Sequence, residues 1–322
     1  MDIDIVLPWV DGSDKKLKIK RNQALSKWTL DRDLNSSDRF RDTDILKYSL
    51  ASIRKFAPWV HHVYLITDGQ KPSWFQEDTT FKIVDHANFI PEKYLPTFNS
   101  NVIELNAYRI KGLSEYFILF NDDIVLNKPV VATDFFSANG LPKDVAIYSV
   151  IPTDSYFSHI IMNNMIVINK YFGKWDGLKK DWTKYFNFKY GSLLVRSCLS
   201  LPWNGIVGFY NPHTPISYNK SNFTKLWELE PELLDQCSQN KFRTKSDISH
   251  WLVRYYQLQS GAFAPRKASF SKFYEQSQTT AIIDDIRRGK HALLCINDSD
   301  SADLDKELPP LLKALDDKFL QE

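Results

Sequence analysis

Short apolar runs alternate along this chain with longer segments of helical spacing. The apolar runs are bounded by polar turns, which is typical of strands buried in a parallel sheet; they lie at residues 3–10, 63–67, 81–84, 116–120, 145–150 and 292–296. Helices are predicted at residues 15–30, 45–56, 102–110, 222–237, 247–260 and 303–320. Strands that alternate with helices in this way predict an α/β fold with a mainly parallel central sheet.

The stretch 116–126 combines a buried strand with polar chemistry. Five apolar or aromatic residues end directly at Asn121, Asp122 and Asp123. Open α/β sheets place their ligands at the carboxyl ends of parallel strands. Amide and carboxylate oxygens there suit Mg²⁺ or Mn²⁺ bound together with a substrate phosphate. The alternative interpretation is a solvated turn, since Asn-Asp-Asp is also favourable turn chemistry.

Two further groups in the first half are candidates for binding an anion or a donor. Asp11 follows the first strand, where a carboxylate is useful to a ligand, although it could equally cap the helix that begins near residue 15. Arg39 and Arg41 precede the helix at 45–56, which Asp42 or Thr43 could cap. Guanidinium groups hold phosphate oxygens bidentately, so Arg41 is a candidate diphosphate clamp; the alternative is a surface salt bridge.

In the second half, His213 stands out by its backbone context. It lies between Pro212 and Pro215, which restrict the chain to a stiff, non-helical conformation. Rigid presentation suits a general base or an imidazole that contacts phosphate, and a structural histidine is the alternative. Downstream, Arg243 lies with a second cation at the start of a predicted helix, which indicates another anion site.

The last predicted strand, at 292–296, ends in Asn297 and Asp298. Two strands that end in Asn and Asp could supply oxygen ligands to one cation from two sides. The sequence therefore predicts Asp122 and Asp123 as the main metal ligands, with Asn297 or Asp298 as further ligands.

Composition narrows the class of protein. The chain of 322 residues can bury a full core, and its formal net charge of +2 gives no electrostatic case for a nucleic-acid partner. Three widely separated cysteines lack metal-ligand spacing and indicate a reducing compartment. The N-terminus has neither the basic region nor the apolar region of a signal peptide, and no apolar run approaches a membrane span. We expect a cytoplasmic protein.

Taken together, these stretches resemble the Stealth family of hexose-1-phosphate transferases, which includes bacterial capsule phosphotransferases and the catalytic subunit of the animal lysosomal-enzyme N-acetylglucosamine-1-phosphotransferase. Four blocks in the family's order carry the resemblance. The first covers residues 3–12. The second runs from Arg39 through residues 64–70 and 98–101 to Asp123. The third joins residues 212–215 to 243–247, and the fourth covers residues 294–298.

The resemblance implies a GT-A-like nucleotide-sugar transferase fold with an inserted or C-terminal helical subdomain. It also implies that the chain transfers a hexose or N-acetylhexosamine 1-phosphate, for example from UDP-GlcNAc, to a hydroxyl of a cell-surface polysaccharide, with release of UMP. The acceptor would be a polysaccharide or a lipid-linked oligosaccharide, and peripheral association with membrane-bound assembly machinery stays open. We expect one catalytic domain, with a donor half at 1–150, an acceptor-side subdomain at 151–290 and a returning strand and helix at 291–322.

Residue roles follow from the same resemblance. Arg243 would neutralise the diphosphate, His213 would take the acceptor proton or bind the transferred phosphate, and Asp11 would lie near the donor. Further donor and phosphate contacts would come from Arg39, Arg41, Asp42, Asn99, Asn101 and Asn121.

Three other functions remain compatible with the sequence. A glycosyltransferase would use the same donor and metal but release UDP. A nucleotidyltransferase would usually carry a Gly-rich phosphate loop near its N-terminus, which is not found here. A sugar-binding module would use the aromatic residues without turnover.

Overall fold

The computed structural model describes residues 1–26, 35, 44–153, 155–297 and 304–320. The strands within these ranges are β1 (Ile3–Pro8), β2 (Val63–Thr67), β3 (Phe81–Asp85), β4 (Tyr116–Leu119), β5 (Ile124–Leu126), β6 (Lys143–Asp144), β7 (Ile216–Asn219), β8 (Ala264–Pro265), β9 (Ser271–Glu275) and β10 (Leu293–Asn297). The α-helices are α1 (Lys15–Leu25), α2 (Ile45–Phe56), α3 (Ser100–Asn106), α4 (Ser158–Tyr171), α5 (Lys174–Asp181), α6 (Leu194–Ser200), α7 (Lys220–Leu229), α8 (Pro231–Ser238), α9 (Trp251–Gln259), α10 (Thr279–Arg288) and α11 (Leu304–Phe319).

The central sheet has the strand order β3-β2-β1-β4-β7. The first four strands are parallel, and β7 runs antiparallel to β4 at one edge. Successive side chains of β1 enter opposite cores: Val6 packs on one face, and Ile5 and Leu7 pack on the other. Burial of both faces explains the unbroken apolar run in the sequence. The predicted α/β fold with a mainly parallel sheet is confirmed.

The stretch 116–126 divides between two sheets. β4 ends at Leu119, the chain turns through Asn121 to Asp123, and β5 then pairs antiparallel with β10 in a second sheet of order β5-β10-β9. A single continuous strand would have carried the acidic residues past the edge of the central sheet. The turn instead keeps them at the carboxyl end of β4.

Several predicted boundaries differ from the observed ones. Residues 145–149 are buried but do not form the expected strand. Tyr148 forms an isolated bridge with Phe209, and the short strand β6 just before the segment pairs with β8. The predicted helix at 222–237 is divided into α7 and α8 by Pro231, which cannot donate a helical hydrogen bond. Helix α2 spans Ile45–Phe56 as predicted, but its N-cap is Asp44, whose side chain makes no cap hydrogen bond, and the predicted caps Asp42 and Thr43 lie outside the described residues.

The helices between β6 and β8 share their core with the central sheet. Val6 of β1 and Phe117 of β4 belong to the same buried cluster as Met165 of α4 and Leu252 of α9. One catalytic domain, with internal boundaries near 150 and 290, stays a prediction. Among the described helices, none is both long and apolar enough to cross a membrane.

Candidate active site

A cavity of about 240 Å³ opens at the carboxyl ends of the central parallel strands. Residues directly after three of these strands line it: Trp9 after β1, Asp68 after β2 and His86 after β3. Phe98 and Ile103 add apolar surface to the lining, and Glu104, Asp122 and Asp123 add further carboxylates. This is the position at which doubly wound α/β proteins bind ligands.

A second cavity, of about 470 Å³, lies beside α4 and α9. Its walls include the rings of Phe157, Trp251 and Phe273, together with polar side chains from α3 and β10. Four residues line both cavities, so the two adjoin there: Ser100, Glu104, Asn121 and Arg243. A ligand that spans both cavities would pass between these four side chains.

The acidic turn after β4 faces the first cavity. Asp122 and Asp123 both line it, and the Oδ1 atom of Asp123 is buried without a hydrogen-bond partner among the described residues. Burial raises the pKa of Asp123, because a charged carboxylate loses its hydration there. A buried oxygen that lacks a partner costs stability unless a ligand satisfies it. Mg²⁺ or Mn²⁺, which prefer such oxygen ligands, would satisfy it.

Strand β10 approaches the same carboxylate from the second sheet. The Cys295 thiol donates to Oδ2 of Asp123 at 3.3 Å, and the backbone N–H of Ile296 donates to the Asp123 carbonyl at 2.9 Å. Asn297, the last residue of β10, lines the second cavity. The structure therefore brings together the ends of the two strands that the sequence predicted to share a site.

Arg243 is held at the junction of the two cavities by its neighbours. Its backbone N–H donates to the Asn35 side chain at 3.0 Å, and the Asn35 amide donates back to the Arg243 carbonyl at 2.9 Å. Its guanidinium donates to the hydroxyl of Ser100 at the start of α3. The loop that carries Arg243 is also held by the buried carboxylate of Asp247, which accepts the backbone N–H of Thr244 at 3.2 Å.

Asp247 also binds the side chains of two residues that the sequence predicted as donor contacts. Its carboxylate accepts hydrogen bonds from the side-chain amides of Asn99, at 2.7 Å, and Asn101, at 3.1 Å. Asn99 additionally caps α3 through the backbone N–H of Asn101. These bonds join α3 to the loop of Arg243. Asn101 lines the second cavity, whereas Asn99 lines neither. A direct donor contact from either residue stays a prediction.

His213 lines the second cavity. Its ring packs against Trp251 and Phe273, with centroids 6.0 Å and 5.4 Å away. Its backbone φ of 47° is in the left-handed region, which costs a non-glycine residue about 1–3 kcal/mol. Loss of hydration lowers the pKa of His213, so the ring is neutral near pH 7 and can accept a proton.

Sequence reasoning missed Glu104, which lines both cavities. Burial raises the pKa of Glu104 to about 7, while the positive charge of Arg243 acts to lower it. Its Oε2 atom lies 3.5 Å from Nε2 of His250, whose pKa burial lowers to about 3. The signal in the sequence was a lone acidic residue between apolar positions, on the same helix face as Ser100 and Asn101.

The family relationship follows from comparison with known proteins. Conserved region 1 of the Stealth proteins matches residues 1–27, and conserved region 2 matches residues 39–144. A capsular polysaccharide phosphotransferase WcwK of Streptococcus pneumoniae is 42% identical over 321 residues, which cover 98% of this chain and 96% of that protein. The chain belongs to the Stealth family.

Other Stealth relatives bear similar names. An exopolysaccharide phosphotransferase cps2G of Lactiplantibacillus plantarum is 44% identical, over 92% of this chain and 87% of that protein. Among solved structures, the galactosyltransferase LgtC in complex with donor and acceptor sugar analogues matches 98% of this chain and 96% of its own, with a TM-score of 0.44 and 9% identity.

Not every predicted site residue of this Stealth chain faces the two cavities. Asp11 lines neither one. Its Oδ1 atom accepts from the backbone N–H of Ser13 at 2.8 Å, and its main chain exchanges two hydrogen bonds with Gln70. The cap of α1 is Asp14. Four other predicted residues lie outside the described residues: Arg39, Arg41, Asp42 and Asp298.

A different group of potential metal ligands lies at the opposite end of the sheet. Asp4, His61 and His62 offer one ligand atom each, all within 4.8 Å of one another. The Asp4 carboxylate already accepts the backbone N–H groups of His62, at 3.0 Å, and Ser114, at 2.6 Å. These bonds tie β1 to the segments before β2 and β4 at the amino ends of the strands, away from both cavities.

Proposed function

We propose that this Stealth chain transfers a sugar 1-phosphate from a UDP-sugar to a hydroxyl of a growing cell-surface polysaccharide, with release of UMP. The names of its full-length relatives, which are polysaccharide phosphotransferases, support the reaction class. The single structural observation that carries the proposal is the pair of adjoining cavities with Arg243 between them. A donor and an acceptor that react at phosphorus need two such compartments with a cation at their junction.

The first cavity suits the nucleotide of the donor. Trp9, Phe98 and His86 provide ring surfaces for a base, and burial lowers the pKa of His86 to about 4, so its ring is uncharged near neutral pH. Asp122 and Asp123 would hold Mg²⁺ or Mn²⁺, with Asn297 as a further candidate. Such an ion supplies positive charge that neutralises the phosphate leaving group.

Arg243 and Asn121 would bind the phosphoryl oxygens at the junction. Guanidinium and amide N–H groups donate to the charge that builds on those oxygens during transfer. Ionised Glu104 would hold the Arg243 guanidinium in place, which agrees with the electrostatic coupling between the two groups. Glu104 is therefore proposed as a positioning residue.

His213 would act as the general base. The acceptor hydroxyl loses its proton to the unprotonated ring nitrogen of His213, and its oxygen forms a bond to the phosphorus nearest the sugar. The bond from that phosphorus to the bridging oxygen breaks, and the electron pair leaves with UMP. A neutral ring on a stiff loop suits this step. The rings of Phe157 and Trp251 would contact the sugars of the polysaccharide or lipid-linked acceptor.

The test is a nucleotide product analysis. The protein is incubated with a panel of UDP-sugars, Mg²⁺ or Mn²⁺, and crude glycan acceptor, and the nucleotides are separated by chromatography. UMP that forms with metal, but not with EDTA, supports sugar-phosphate transfer or its hydrolytic side reaction. UDP as the product would overturn the proposal in favour of a glycosyltransferase, and no loss of donor would favour a sugar-binding module.

Two variants test the assigned residues. Asp122→Asn and His213→Gln should each lower the rate at least about 10²-fold, the usual contribution of a charge-stabilising group or a general base. His61→Gln is the matched control for the histidine, because it lies at the opposite end of the sheet. A turnover near that of the unmodified protein in Asp122→Asn or His213→Gln would remove that residue from the mechanism.

A further inference from the structure

A third cavity, of about 450 Å³, lies beside the paired strands β6 and β8, and it is strongly basic. Six cationic residues line it: Lys128, Lys143, Lys189, Arg266, Lys267 and Lys290. The only carboxylate in its lining is Asp134. This local excess contrasts with the formal net charge of +2 for the whole chain. We refer to this cavity, lined by the six cationic residues, as the basic cavity.

Most of this charge has no carboxylate partner among the described residues. Lys290 pairs with Asp284 at 3.1 Å, whereas Lys128 and Lys189 donate only to backbone carbonyls. Asp134 already accepts the backbone N–H of Val131 at 2.9 Å. Loss of hydration and the nearby charge of Lys189 lower the pKa of Lys143. Like charges gathered in a concave surface attract anions from solution.

Arg266 supplies the second, independent observation. Its side chain is 6% exposed, and its Nη1 atom is buried without a hydrogen-bond partner among the described residues. The nearest carboxylate on its own strand pair, Asp144, is already engaged by Arg254 through contacts of 2.7 Å and 2.9 Å. Asp144 and Asp134 attract the charge of Arg266, but neither forms an ion pair with it among the described residues. A buried guanidinium in this state is stabilised when an anion binds it.

We propose that the basic cavity binds a phosphate-class anion, and that its source is a phosphodiester of the glycan chain that the protein extends. The anion site stands on the residues above, while the identity of its source rests on the proposed function. A product with phosphodiester links carries regularly spaced anions. A concave site of this volume accommodates a phosphate with part of a sugar, as ligand cavities do, better than it fits a flat membrane surface.

The basic cavity is connected to the candidate active site through one loop. Arg266 donates from Nη2 to the carbonyl of Pro215 at 3.4 Å, and Pro215 lies two residues after His213. Phe270, over which the Arg266 guanidinium lies at 5.1 Å, precedes β9, whose Phe273 packs on His213. An anion bound at Arg266 would thus lie behind the loop that presents His213. This position suits a glycan chain that extends from the basic cavity toward the second cavity.

The first experiment measures anion binding by calorimetry with inorganic pyrophosphate as the probe, in the absence of divalent cations. Lys143→Gln combined with Lys267→Gln should weaken binding at least tenfold, and added salt should weaken binding to the unmodified protein. Lys111→Gln combined with Lys179→Gln removes two exposed lysines that do not line the basic cavity and should leave the affinity unchanged. Equal affinity in the two double variants would overturn the anion site. Arg266→Gln is the stronger change, and the double variant at Lys143 and Lys267 keeps the test valid should Arg266→Gln not fold.

The second experiment identifies the source of the phosphate. With glycan acceptor, Lys143→Gln combined with Lys267→Gln should raise the KM for acceptor at least about fivefold while kcat and acceptor-free donor hydrolysis stay unchanged. An unchanged KM would overturn the glycan assignment. If the double variant then also loses a sedimentation on vesicles of phosphatidylcholine and phosphatidylglycerol that the unmodified protein shows, the source is a lipid headgroup. Failure of the unmodified protein to release UMP would contradict the proposed function alone, because the pyrophosphate result does not depend on it.

Discussion

Replacement of Glu104 by Gln should stabilise the folded protein at neutral and alkaline pH while it impairs transfer. The Glu104 side chain is 12% exposed and lies at the junction of the first two cavities. Burial raises its pKa to about 7 from the ordinary value of 4.5. Gln keeps the shape of the side chain but carries no charge, so the variant removes the cost of ionising a buried carboxyl.

The size of this cost follows from the two pKa values. One pKa unit corresponds to about 1.4 kcal/mol, so the raised value corresponds to about 3 kcal/mol. Because the folded pKa lies above the unfolded one, the stability contributed by the protonated carboxyl is complete below pH 4.5 and is lost as the pH rises to about 7. The unmodified protein should lose about 3 kcal/mol across this range relative to Glu104→Gln.

The assay is urea denaturation followed by tryptophan fluorescence at pH 4.5, 6 and 8. The difference in free energy of unfolding between Glu104→Gln and the unmodified protein should grow across this series, since other titrating groups cancel in the difference. Glu228→Gln is the matched control, because the Glu228 side chain is 62% exposed. Its difference from the unmodified protein should not change with pH.

The transfer rate of the unmodified protein should fall as the pH decreases, over the range in which its stability rises. As the pH falls below about 7, Glu104 becomes neutral and no longer holds Arg243, so the transfer rate of the unmodified protein should decline. The Glu104→Gln variant should be slow and should lack this inflection. A stability difference that stays constant between pH 4.5 and 8 would refute the assigned burial and charge of Glu104, whatever the effect on activity.

Two further predictions concern the support of the candidate active site. Asn211→Leu should lower kcat with little change in the donor KM. Asn211 accepts hydrogen bonds from Arg254 at 3.1 Å and from Tyr255 at 2.9 Å, just before the loop that carries His213. Asn211→Asp should restore most of the rate, and an unchanged rate in Asn211→Leu would contradict this role. Arg254→Met should cost about 3–5 kcal/mol in urea denaturation, since it leaves a buried carboxylate unpaired, whereas Arg54→Gln, at an exposed pair, should cost under about 1 kcal/mol. Similar costs for the two arginines would refute that argument.

Local sequence determined the strands of the central sheet. β1, β2 and β4 are short apolar runs with turn residues at their ends, and such runs fit only a sheet that is covered on both faces. The same logic placed Asn121, Asp122 and Asp123 at the carboxyl edge. It also indicated that β10 would end near them, because carboxyl ends of strands gather ligands.

Only the tertiary structure decided which polar residues face a cavity and which support it. Asn99 and Asp11 have the composition of site residues, yet their side-chain atoms bond within the chain, to Asp247 and to the backbone of Ser13. In the sequence, Glu104 is only a lone acidic residue between apolar positions. Its raised pKa comes from the packing of α3 against distant segments that carry Arg243 and His250, and no local pattern encodes that desolvation.

The basic cavity is the clearest example of a feature that the tertiary structure, and not the local sequence, determines. Its six cations are scattered from Lys128 to Lys290 and form no charge run in the sequence. They converge because β6 pairs with β8 and the end of β5 lies beside the segment before β10. Periodicity reports which face of one element is apolar, since it depends on neighbours along the chain. Convergence of charge depends on which elements pair across the fold, and that is decided by the packing of the whole core.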